Sequence, residues 1–275
     1  MGTTTVKKQP KAKTQSQGFT GIKSAIWVIV ACAIIAVLIY LFVFGAPSNF
    51  QGGDTANNPT NILGTVYKGG FIVPCIWTLF LTVIALAIER FFTIKNAYGK
   101  SSLSKFVKNI KEALKNNDLQ KAQQLCNAQR GSVANVVGAT LQTYGEMEKN
   151  DVLTKEQKVL NIQKSLEEAT ALEMPMMQEN LPIVGTIVTL GTLIGLLGTV
   201  VGMIRSFSAM SAGGGADSQA LSTGISEALV NTASGIATGA CAVITYNYFT
   251  NKIDRLTFAL DEVGFSIVQT FNANH

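Results

Sequence analysis

The chain has 275 residues, of which 47% are hydrophobic and only 14% charged, with a formal net charge of +5. Soluble domains carry about 25% charged residues, so the balance points to a membrane protein, and no basic patch interleaved with aromatics suggests a nucleic-acid partner. The one histidine is the terminal His275, and GxSxG, P-loop and strand-linked GxGxxG motifs are missing, which argues against hydrolytic and nucleotide-using enzymes and against a bound cofactor.

Residues 1–23 are polar, carry Lys7, Lys8, Lys11, Lys13 and Lys23, and contain no acid. They read as a disordered basic tail. Residues 24–45 form an apolar block long enough to cross a bilayer. A cleaved leader is the alternative, although its apolar core would be shorter. Residues 46–68 hold Pro47, Gly52, Gly53, Asn57, Asn58 and Pro59, a loop composition. A second span is expected over 69–89, ending at Glu89-Arg90.

From 90 to 180 the charges fall at helical spacing, with Phe106, Ile110 and Leu114 on one face. This predicts a helical extramembrane domain. A third span is expected over 181–207, a short loop with Gly213-Gly214-Gly215 over 208–222, a fourth span over 223–249, and a helical tail over 250–275. Cys32, Cys75, Cys126 and Cys241 have neither paired nor metal-ligand spacing. Three lie in apolar blocks, where a free cysteine acts as a small hydrophobe.

Lysine and arginine set the expected orientation. The N-terminal tail has five, the 90–180 segment thirteen and the C-terminal tail two, against Lys68 alone in 46–68 and Arg205 at the border of the glycine loop. Both termini and the central segment are therefore expected in the cytoplasm, with the two loops outside.

On the third span, Gly191, Gly195, Gly198 and Gly202 share one side, a pattern that lets helices approach closely in lipid. Thr192 and Thr199 lie on an adjoining stripe. On the fourth, Thr223, Glu227, Asn231, Ser234, Thr238, Cys241 and Thr245 fall within about 40° of one line, with Thr232 beyond the next sector. Such a strip suits a wet or protein-filled lumen. Glu227 stands out because a carboxylate within a span is costly and usually functional. The alternative is an interfacial acid that only marks the helix start.

The run from Thr192 to Phe207 and the run from Ile225 to Phe249 resemble the third-span and last-span signatures of the ExbB/TolQ/MotA family of proton-driven motor subunits, most of all ExbB. Glu89-Arg90 at the end of the second span also fits. The resemblance implies a homopentamer enclosing an ExbD/TolR-type dimer with a membrane aspartate. It further implies proton flow coupled to the outer membrane through a TonB-type protein, in the bacterial inner membrane. It assigns Thr199 and Thr232 as lumen-facing hydroxyls and Glu227 as the acid near the outer mouth. Two departures are visible: the span at 24–45 is additional, and Ala240-Cys241-Ala242 stands where the family commonly has a proline. A TolQ-type subunit, a MotA-like stator and a passive membrane scaffold are the other readings.

Overall fold

The computed structural model describes residues 25–212 and 218–274. The basic tail 1–23, the Gly213-Gly214-Gly215 run and His275 lie outside the described residues. Nearly everything described is helical, and the extended pairing among these residues is a single bridge between Phe50 and Pro59. Four stretches contain helix long and apolar enough to cross a membrane: Ala25–Phe44, Ile72–Lys115, Lys155–Ser208 and Leu221–Asn274. Their number is the four that hydropathy predicts.

The helices are α1 (Ala25–Ile39), α2 (Ile62–Lys68), α3 (Ile72–Tyr98), α4 (Leu103–Lys115), α5 (Leu119–Gln129), α6 (Ser132–Glu148), α7 (Lys155–Gln178), α8 (Leu181–Ala212) and α9 (Ser218–Asn274). The chain divides into two compact units. Among the described residues, one comprises 96–169 and 263–274; the other comprises 25–95, 170–212 and 218–262.

In the unit holding α4, α5 and α6, amphipathic helices bury Phe106, Ile110, Leu114, Val133, Val137 and Leu141, joined by Val263, Ile267 and Phe271 of α9. Tyr144 meets Phe271 edge-on at 4.9 Å between ring centroids. Ser102 and Asp118 accept hydrogen bonds from the amides of Lys105 and Lys121 and so start α4 and α5. Gly131 sits at φ +86°, and a Cβ there would lie 2.6 Å from the Asn96 carbonyl oxygen. The turn into α6 therefore needs glycine. Burial pushes the Cys126 thiol up to about 12, so this cysteine stays a neutral packing group.

The second unit contains the apolar helices. α1 is apolar throughout and keeps its backbone polar groups inside the helix, as lipid requires. It buries only its small side, Ala25, Cys32 and Ala36. Its end widens into a π-turn, Tyr40–Phe44. Val83 and Leu86 of α3, Val184 and Ile187 of α8 and Ala242 of α9 form the shared core. The junction from α7 to α8 turns at Asn180, where φ is +65°. Fully buried Arg90 reaches it, donating to the carbonyls of Met176 (3.0 Å) and Met177 (3.3 Å) and pairing with Glu89 through Nε and Nη2.

Candidate functional site

Gly191, Gly195, Gly198 and Gly202 of α8 face α9 of the same chain. A Cβ on Gly195 would lie 3.0 Å from the Cα of Gly235, and one on Gly202 would lie 2.7 Å from the Cβ of Ala228. A Cβ on Gly191 would lie 3.3 Å from atoms of Gly235, Thr238 and Gly239, and one on Gly198 would lie 2.5 Å from the Asn231 Cβ. At Gly195 and Gly235 the seam is therefore backbone against backbone. Its tightness comes from side chains that are absent.

Thr199 and Thr232 meet across this seam with their Oγ1 atoms 3.1 Å apart. Thr199 also donates to the Leu196 carbonyl at 2.7 Å, and Thr232 to the Gly195 carbonyl at 3.1 Å. Each hydroxyl has one proton and can also accept, so the pair has more than one hydrogen-bonding arrangement. On its other side Thr199 opens into a groove of about 510 Å³ lined by Val200, Met203, Ile204, Phe207 and Ser208.

The rest of the polar strip does not stay together. Asn231 is buried and donates its amide to the Gly69 carbonyl at 3.0 Å, at the entry to α3. Its buried Oδ1 has no conventional hydrogen-bond donor and packs over Gly69, where a Cβ would come within 2.5 Å. Thr238 is buried too and bonds back to the Ser234 carbonyl at 2.9 Å. Thr192 bonds back to Val188 at 2.9 Å. Ser234 and Thr245 are half-buried.

Glu227 is half-buried and interacts electrostatically with Lys68 and Arg205. The Arg205 guanidinium stands 5.8 Å from the centroid of the Phe71 ring. Reading charge along the sequence treats Lys68 and Arg205 as flank markers and misses their convergence on Glu227. Gly69 is missed as well, and the Gly69-Gly70 pair at the head of the span is its only signal. Among the described residues no cluster of three His, Cys, Asp or Glu side chains could hold a metal.

Residues 131–262 match the MotA/TolQ/ExbB proton channel family. The chain carries a MotA/TolQ/ExbB domain. That domain runs from the start of α6 into α9, so it contains the Thr199–Thr232 pair, the glycine seam and Glu227. The chain is 40% identical over 87 residues to a biopolymer transport protein, ExbB-like 3, of Synechocystis, covering 31% of this chain and 41% of that protein. It is 35% identical over 94 residues to the biopolymer transport protein ExbB of Helicobacter pylori, covering 34% and 64%. To the Tol-Pal system protein TolQ of Haemophilus influenzae it is 32% identical over 84 residues, covering 30% and 37%. Each match thus spans less than two thirds of the relative's own length. The matched domain and the four apolar helices together make this a multi-pass membrane protein.

Proposed function

We propose that the chain is an ExbB-type motor subunit of the bacterial inner membrane. In this reading it forms a pentamer around an ExbD/TolR-type dimer, uses the proton motive force, and passes motion to a TonB-type protein that energises outer-membrane transport. The observation that carries the reading is the Thr199–Thr232 hydroxyl pair, 3.1 Å apart and open to a groove, in two spans whose only acid is Glu227.

The chemistry sets what this subunit can do alone. Threonine hydroxyls pass hydrogen bonds along but do not hold a proton near neutral pH. Glu227 lies near one end of its span, leaving most of a hydrocarbon layer of about 30 Å to cross. A second carboxylate near mid-membrane is therefore needed, supplied by the partner's aspartate. Glu227 collects protons at the outer mouth, and the hydroxyl pair orders water beside that aspartate.

Proteoliposomes test this in three preparations: the chain alone, with wild-type partner, and with partner whose membrane aspartate is changed to asparagine. Proton flux is expected only in the second, and Glu227→Gln should lessen it. Robust flux from the chain alone refutes the shared site. The TolQ relative supports a second reading, envelope maintenance. A deletion strain separates the two: loss of energised import fits the ExbB type, detergent sensitivity the TolQ type.

A further inference from the structure

Composition makes 46–68 a polar loop, yet these residues build a hydrogen-bonded cap. Asn49 donates to the carbonyls of Val43 (2.7 Å) and Phe44 (3.0 Å), closing the end of the first span. Its Oδ1 accepts from Asn61 at 2.9 Å, and the Asn61 side chain in turn accepts from the Gly64 amide at 3.0 Å and starts α2. Thr65 donates to the Asn61 carbonyl and Lys68 to the Ala56 carbonyl, both at 3.1 Å. The polar groups of α2 are thus turned into the cap.

Aromatic contacts fix the depth of the cap. Tyr67 of α2 stacks on Tyr40 at 4.6 Å, and Tyr40 lies inside the 20-residue apolar run Ala25–Phe44. Phe44 packs edge-on against Trp77 at 5.0 Å. At a rise of about 1.5 Å per residue, Trp77 lies about 7.5 Å along α3 from Ile72. The end of α1, with α2 beside it, is therefore level with the apolar part of α3. Beside it α2 leaves Ile62 79% and Leu63 41% exposed, and Phe42 (75%) and Phe71 (61%), before and after the cap in the chain, are exposed as well. Two neighbouring large apolar side chains left bare on a helix packed against the end of an apolar span suit the acyl-chain boundary rather than water.

We infer that α2 is an interfacial anchor whose Ile62 and Leu63 insert into the acyl-chain boundary of the phospholipid leaflet on that side. The anchor holds Gly69, the acceptor of the Asn231 amide, at a fixed depth. The inference needs only that the four apolar helices span a membrane, not the motor reading.

Nitroxide labels in the full chain, reconstituted in phospholipid nanodiscs with its native cysteines replaced, provide the test. They are placed singly by Ile62→Cys, Leu63→Cys, Ala56→Cys on the cap and Ile34→Cys on the exposed face of α1. Ile62→Cys and Leu63→Cys should collide with oxygen as Ile34→Cys does. They should collide with a water-soluble nickel chelate roughly tenfold less than Ala56→Cys, as fits an apolar face about 5–10 Å into the headgroup boundary. Nickel access equal to that at Ala56→Cys places α2 in water and overturns the inference. Protection from both reagents means protein covers the patch and overturns it equally.

Discussion

At the scale of single residues, the Thr199–Thr232 contact separates polarity from packing. Threonine and valine have nearly the same shape, so Thr199→Val with Thr232→Val removes two hydroxyls and leaves the glycine seam intact. Each hydrogen bond is worth about 0.5–1.5 kcal/mol, so losing the pair's ordering of the path should slow partner-dependent proton flux about tenfold. The mass of the complex in detergent should stay the same. Wild-type flux from the double variant would show that the hydroxyls play no part. Glu227 is visible in the sequence because an acid in an apolar run stands out, whereas Thr199 and Thr232 are singled out there only by the family resemblance. The fate of Asn231 is not visible there. A helical wheel gives the direction of its side chain but not what faces it, and Gly198 and Gly69 leave it a space. The structure buries Asn231 between helices, while Glu227, on the same stripe, stays half-exposed.

At the scale of elements, the joint between α7 and α8 depends on a side chain from a third helix. The last carbonyls of a helix have no partner within it, and here Arg90 of α3 supplies donors to Met176 and Met177. Glu89 neutralises it, with Thr93 donating to the same carboxylate at 3.3 Å. Arg90→Met leaves the Glu89 carboxylate buried and unpaired and should cost about 3–5 kcal/mol in unfolding experiments in detergent. Glu89→Leu with Arg90→Met should cost less, because no buried charge remains. A single variant as stable as wild type would mean that the pair is not holding the joint. The sequence shows Glu89-Arg90 only as the charged end of a span. Its carbonyl partners lie 86 and 87 residues away, beyond any local pattern. The same holds for the cap at 46–68, whose glycines and asparagines announce turns but not the Asn49–Asn61 bonding that folds it.

For the whole molecule, four spans are legible because backbone buried in lipid must be helical and each crossing needs about 20 apolar residues. The division into two units is less so, since α3, α7 and α9 each give residues to both. Hydropathy gives the spans no direction. Charge does: eighteen of the lysines and arginines lie in 1–23 and 90–180, against Lys68 alone in 46–68. Basic residues near span ends stay on the cytoplasmic side, so 90–180 should be inside and the cap outside. Ala56 and Lys108 are both exposed, and a cysteine at either disturbs no packing. In a background without native cysteines, Ala56→Cys should react with a membrane-impermeant maleimide in intact spheroplasts. Lys108→Cys should react only after permeabilisation. The reverse pattern would invert the protein in the membrane. It would put Glu227 and its neighbours Lys68 and Arg205 on the cytoplasmic side, where a proton driven inward leaves the path instead of entering it. Labelling of both in intact spheroplasts would contradict the single crossing, by α3, that separates Ala56 from Lys108. Only the first outcome lets Glu227 meet protons at the start of their path.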